Sequence, residues 1–232
     1  MTVSSRSLMN QWWRLGGLAG ILYVVLFVIG ILIEGDTPMP DNSASDIKQY
    51  FVDNGDKFMI GDFIIGIGFV FFFLPFASAL GSFLGRSEGE PPVWSRLIFF
   101  AAITFTAIGA AASSFLGALA YTAGDFTDDN LLKSFVDANY YAFTTAGPLL
   151  AGLLVLSASI VILRTKALWQ WLGWLGLIFT IAAVISSLSV LNDDPNSPLG
   201  IMGFIVFISY GVWILIASVG MWLKEAPPEP MM

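Results

Sequence analysis

The chain has 232 residues, of which 56% are hydrophobic and 12% charged, with a mean hydropathy of +0.79 and a net charge of −7. A water-soluble globule of this size cannot hide that much apolar surface in one core. The absence of Cys and His excludes disulfides, thiolate or imidazole metal sites, His-ligated haem and His-based catalysis, and the negative charge argues against nucleic-acid binding.

Six uncharged or nearly uncharged apolar runs are long enough to cross a bilayer as helices. Their expected spans are 15–33, 59–84, 97–121, 140–163, 169–191 and 199–222. In lipid the backbone must satisfy its own hydrogen bonds, so the runs are helices, and nothing alternates as the strands of a barrel would. Arg6 and Arg14 before the first run resemble the start of a signal peptide. The run is long, however, and Ile33-Glu34-Gly35-Asp36 offers no small-residue cleavage site. We therefore expect an uncleaved first helix.

Between helices 1 and 2 the chain reads Ser43-Ala-Ser-Asp46-Ile-Lys48-Gln-Tyr50-Phe51-Val52-Asp53. Ser43 with Asp46 in the first turn is a helix start, and Ile47, Tyr50 and Phe51 share one face. A short amphipathic helix on the outer surface is expected here. Helix 2 carries Asp62 near its outer start, a cluster of Phe69, Phe71, Phe72, Phe73 and Phe76, and Pro75. The cluster reads as lipid-facing bulk. Helix 3 presents Gly109, Ser113 and Gly117 at four-residue spacing, and helix 1 presents Gly16 and Gly20; small faces of this kind let helices approach closely.

The segment after helix 3, Thr127-Asp-Asp-Asn130-Leu-Leu-Lys133-Ser-Phe135-Val136-Asp137, matches the first outer segment. It predicts a second short outward amphipathic helix starting at Thr127. The two Phe-Val-Asp triplets stand 84 residues apart, so helices 1–2 and 3–4 read as copies of one hairpin. Leu172-Gly173-Trp174-Leu175 echoes Leu15-Gly16-Gly17-Leu18, a fainter third copy. The last hairpin turns through Asn192-Asp-Asp-Pro195-Asn-Ser-Pro198, a run of turn formers.

Orientation follows from the basic residues. With the N-terminus inside, Arg6, Arg14, Arg86, Arg96, Arg164, Lys166 and Lys224 lie inside, and Lys48, Lys57 and Lys133 outside. Thirteen of the seventeen acids, counting Asp62 near the outer start of helix 2, fall on the outer side. Trp12, Trp13, Trp94, Trp169, Trp171, Trp174 and Trp222 cluster at the inner helix ends, where indole rings prefer the headgroups. Both signals give cytoplasmic N- and C-termini. The fold class expected is an all-α membrane protein: one polytopic domain over 1–232, six helices, N-in and C-in, with repeated hairpins.

Arg14-Leu-Gly-Gly-Leu-Ala-Gly20 opens helix 1. Gly35-Asp-Thr-Pro38 leads to Asp46-Ile-Lys-Gln-Tyr50 and the Phe-rich helix 2, and Trp171-Leu-Gly-Trp-Leu-Gly176 begins helix 5. This order resembles uncharacterised small bacterial integral membrane proteins, of the kind grouped as domains of unknown function. The resemblance implies six helices and a bacterial plasma (inner) membrane location. It implies no substrate and no catalytic residue.

Asp62 is the one ionisable residue inside a span, and such a residue is a functional candidate. No Lys lies in any span, so a retinal Schiff base is excluded, and Ser113, Ser114, Ser186, Ser187, Ser189 and Ser209 have no base. Gly61, Gly66 and Gly68 lack the Gly-Lys-Ser/Thr of a phosphate loop. The outer acids Asp125, Asp128, Asp129, Asp193 and Asp194 lack EF-hand spacing. Neither a metal nor a cofactor is expected. Pro148 follows Thr144 and Thr145, and a kinked helix cannot pack closely along its length. A ligand pocket is therefore expected at Asp62, Thr144, Thr145 and Pro148, opening outward with an apolar floor and an acidic rim. It suits an amphiphile with a neutral or cationic head. The leading function is a non-enzymatic binding, sensing or accessory subunit whose partners are membrane lipid and an amphiphilic small molecule. The alternative is a small transporter or channel using Asp62.

Overall fold

The structure, a computed structural model, describes residues 3–125, 128–191 and 197–224. The expected turn at Asn192–Asn196, the helix start at Thr127 and the C-terminal residues from Glu225 lie outside the described residues. Every regular element among the described residues is helical. Six helices are long and apolar enough to span a membrane. We number them α1 (Val3–Glu34), α2 (Ala44–Glu88), α3 (Val93–Thr122), α4 (Asn130–Thr165), α5 (Gln170–Leu191) and α6 (Pro198–Leu223).

Each helix packs on the next, and α6 returns to α1, closing a ring. The halves of α2 and α4 that follow their prolines also meet across the middle. The helices alternate in direction, so the ring has a basic end and an acidic end. Arg14, Arg86, Arg96, Arg164, Lys166 and Lys224 stand at the first, and Lys48, Lys57 and Lys133 at the second. Large side chains, among them Trp13, Phe73, Phe76, Phe83, Ile98 and Trp213, form the core inside the ring.

The two outer segments are not separate short helices. They are the first turns of α2 and α4, which run unbroken into the membrane. At 1.5 Å per residue the 45 residues of α2 measure about 68 Å, far more than a bilayer's apolar core of about 30 Å, so α2 projects beyond it. The reason is local. Between Asp53 and Met59 the only helix breaker is Gly55, and a Cβ there would stand 2.6 Å from the Ala120 carbonyl oxygen. Gly55 lets α3 come close; it does not end the helix. Ser43 caps α2, its Oγ accepting from the Asp46 N–H at 3.2 Å. The cap of the second segment is Asp128, whose Oδ1 accepts from Asn130 and Leu131.

The two projections meet each other and the end of α3 in a small core of their own. Ile47, Phe51 and Phe58 pack with Leu119, Ala123, Leu132 and Val136. Phe51 and Leu132 are fully buried, whereas Tyr50 and Phe135 are half-buried. Tyr50 donates from its hydroxyl to the Glu34 carbonyl at 2.8 Å. Lys133 Nζ donates to the Pro40 carbonyl and to Asp137. The projections thus form a folded head over the acidic end.

Two readings of faces change. The Phe cluster divides by helical periodicity: Phe69, Phe73 and Phe76 are buried, and Phe71 faces outward. Gly16, Gly17 and Gly20 of α1 do seat Ala79 and Ser218 closely. Gly109 and Gly117 of α3 seat no backbone; Gly117 faces open space, and Gly109 meets only the Phe143 ring.

A π-helical segment precedes the proline in both long helices: Gly68–Phe73 before Pro75, and Ala142–Ala146 before Pro148. Each proline follows its segment's last residue by two, a shared feature of the two hairpins. The prolines are 73 residues apart, however, against 84 for the Phe-Val-Asp triplets. The difference of 11 residues is about three helical turns, which keeps the same face inward. One offset therefore does not describe both parts of the repeat.

Candidate functional site

The acidic half of the ring is hollow. A chamber of about 530 Å³ takes side chains from all six helices: Tyr23 and Phe27 of α1, Phe69 of α2, Phe105 of α3, Tyr140 to Ala151 of α4, Phe179 and Ser189 of α5, and Ile201 to Tyr210 of α6. Its wall is a belt of touching rings. Phe207 meets Phe27 at 5.3 Å between centroids, Phe27 meets Phe69 at 5.8 Å, and Phe69 meets Phe105 at 5.6 Å. Phe105 then meets Tyr210 at 6.0 Å, and Tyr210 stacks on Phe179 at 5.8 Å. Edge-to-face and offset contacts of this kind fix ring positions. The π segment of α4 forms one side. Pro148 has no N–H for the Thr144 carbonyl, and the Thr144 hydroxyl donates to the Tyr140 carbonyl at 2.9 Å.

Beside the chamber, beneath the head, lies a smaller vestibule of about 250 Å³. Its polar groups are Glu34 at the end of α1, Thr37, Asp62 of α2, Ser113 of α3, and Asn139 and Tyr140 of α4; the remainder is apolar. Glu34 reaches Asp62 because α1 and α2 touch backbone to backbone. A Cβ on Gly61 would stand 2.5 Å from Glu34 Cγ and 2.7 Å from the Gly30 carbonyl oxygen. The two carboxylates thus line one small cavity together with Ser113 of α3. No basic side chain among the described residues lines the vestibule or the chamber. Among the described residues no cluster of three carboxylates converges on a metal-sized site.

A third space of about 390 Å³ runs down the outside of the ring between α2 and α3, bounded by Asp62, Gly66, Thr106, Gly109, Ser113 and Gly117. The glycine face of α3 therefore lines a groove. Asp62 and Ser113 border both the groove and the vestibule. Phe27, Met39, Tyr140 and Phe143 border both the vestibule and the chamber. Phe143, from the π segment, borders all three.

The four residues expected at one site fall in different places. Asp62 lines the vestibule and the groove, and Thr144 and Pro148 line the chamber. Thr145 lines none of the three; its hydroxyl is buried without a hydrogen-bond partner. Sequence reasoning missed Glu34, Ser113, Phe143 and the aromatic belt. The available signal for Glu34 was its spacing of four from Gly30, which places both on one face of α1.

The family described as a domain of unknown function, DUF4386, matches residues 18–218, a span that includes the chamber, the vestibule and most of every helix. Neither the curated proteins nor the solved structures give a match. With most of its length covered, this chain of six helices apolar and long enough to cross a membrane belongs to the DUF4386 family.

Proposed function

We propose that this protein is a non-enzymatic binding protein of the bacterial plasma membrane, a sensing or accessory subunit that takes up an amphiphile from the outer side. Both termini face the cytoplasm, because the basic end of the ring then obeys the positive-inside rule. The ligand's apolar body occupies the aromatic chamber, and its neutral or cationic head sits in the vestibule. The observation that carries this reading is the junction of the two cavities, one apolar and one acidic, through Phe27, Met39, Tyr140 and Phe143. The chamber has the size and lining of small-molecule sites. Ring faces and carboxylates both attract cations and repel anions.

The test is calorimetric titration of the protein in nanodiscs with octyltrimethylammonium, octanol and octanesulfonate, less the heats of empty discs. The expected order of affinity is cation, then neutral, then anion. Replacing Glu34→Gln and Asp62→Asn together should erase the cation's advantage. Equal or stronger binding of the sulfonate would refute the reading. A second reading, transport through the same cavities, is favoured by Asp62 bordering both the vestibule and the outer groove. Flux of labelled octyltrimethylammonium into proteoliposomes, lost in Asp62→Asn, would select it.

A further inference from the structure

The basic end of the ring carries a site unrelated to the chamber. Where α2 ends and α3 begins, a groove of about 540 Å³ opens on the outside of the ring. Its mouth holds Arg86 and Arg96, and its wall holds the outward-facing rings of Phe99 and Phe100. Small residues of α2, Ser82 among them, form its floor. We propose that this groove binds an anionic phospholipid, its phosphate between Arg86 and Arg96 and one acyl chain along the floor against Phe99 and Phe100.

Depth is the first argument. Trp13 and Trp94 stand at this end, at the level indole rings prefer, which places both guanidinium groups among lipid phosphates. Preorganisation is the second. The Arg86 guanidinium lies 5.4 Å over the Trp13 ring, and Trp13 is held edge-on by Phe83 at 5.4 Å. Arg86 is therefore set at the mouth rather than extended into water. Charge is the third. Among the described residues two acids lie close by. The Glu88 carboxylate accepts from the Trp94 and Ser95 N–H groups, each at 2.8 Å, and from the Ser95 hydroxyl. It is spent capping α3. Among the described residues Glu90 is the one acid lining the groove, against two arginines. Basic pockets between helices on the cytoplasmic side recognise anionic headgroups on this principle. A lipid is favoured over a free phosphate because the long apolar floor and wall have no role in holding an inorganic ion.

The test is native mass spectrometry of the full chain in a neutral detergent with equal amounts of phosphatidylglycerol and phosphatidylcholine bearing the same acyl chains. The expected result is retention of phosphatidylglycerol over phosphatidylcholine, reduced about fivefold by Arg96→Gln, since each basic residue near a headgroup contributes about that factor. Arg96 is exposed, so this variant leaves the packing intact. Ser82→Phe fills the floor while keeping both arginines, and should abolish retention of phosphatidylglycerol. Lys133→Gln, at the opposite end, should change nothing. The proposal fails if the wild-type protein shows no preference between the lipids, or if either Arg96→Gln or Ser82→Phe retains phosphatidylglycerol as the wild type does. It also fails if millimolar inorganic phosphate displaces the lipid one for one, which would identify a simple anion site.

Discussion

Replacing Gly61 with alanine tests what holds the vestibule together. The new Cβ would stand 2.7 Å from the Gly30 carbonyl oxygen, where an ordinary contact is at least 3.4 Å, so backbone must yield by about 0.7 Å. It would also stand 2.5 Å from Glu34 Cγ and push that side chain away from Asp62. Gly30 repeats the contact from the other helix, since its own Cβ would meet the Gly61 carbonyl oxygen at 2.8 Å. Neither helix has slack to give. Overpacking of this kind costs about 1–3 kcal/mol, and at roughly 2–4 °C per kcal/mol for a chain of this length the melting temperature should fall by about 2–12 °C. The control is Gly66→Ala, five residues along the same helix, where nothing lies within 4 Å of the added carbon; it should leave the melting temperature unchanged or slightly raised. Intrinsic tryptophan fluorescence in nanodiscs reads both. If Gly61→Ala melts together with Gly66→Ala, the α1–α2 backbone contact is not what positions Glu34 against Asp62.

Phe51→Ala removes a fully buried ring from the head core, and should cost about 3–5 kcal/mol of local stability, seen as faster hydrogen exchange in the first turns of α2 and α4 with the membrane spans unchanged. Introduced one at a time into a chain without cysteine, Ser45→Cys should react with an impermeant thiol reagent on intact cells, whereas Ser87→Cys and Thr165→Cys should not; labelling of Ser87→Cys from outside would reverse the orientation.

Membrane helices announce themselves because twenty apolar residues have few other uses, so the number of spans and the even crossing are legible in the sequence. What the residues conceal is direction around each helix. Phe69, Phe71 and Phe73 are equally apolar, yet only Phe71 faces outward, because lipid and protein interior are equally tolerant of a phenyl ring. Gly55 illustrates a second ambiguity. A glycine in a helix weakens it or lets a neighbour approach, and only the position of Ala120 decides which. The proline kinks and the intramembrane acid are legible in the sequence, but which cavity each residue lines is not: Asp62 shares the vestibule and the groove with Ser113, 51 residues away, and nothing local to either indicates that they share them.

The head over the acidic end makes the molecule answer to two solvents. Within the bilayer there is no water to expel, so the ring rests on close backbone approach and on packing. The head rests on the ordinary aversion of Phe51, Ile47 and Leu132 to water, which urea, cold or altered salt can weaken. Because α2 and α4 belong to both regions, they act as levers with one arm in water and one in lipid. A change of packing in the head is thereby carried along continuous helix to the walls of the chamber, which both levers line, and the π segments stand between the two arms.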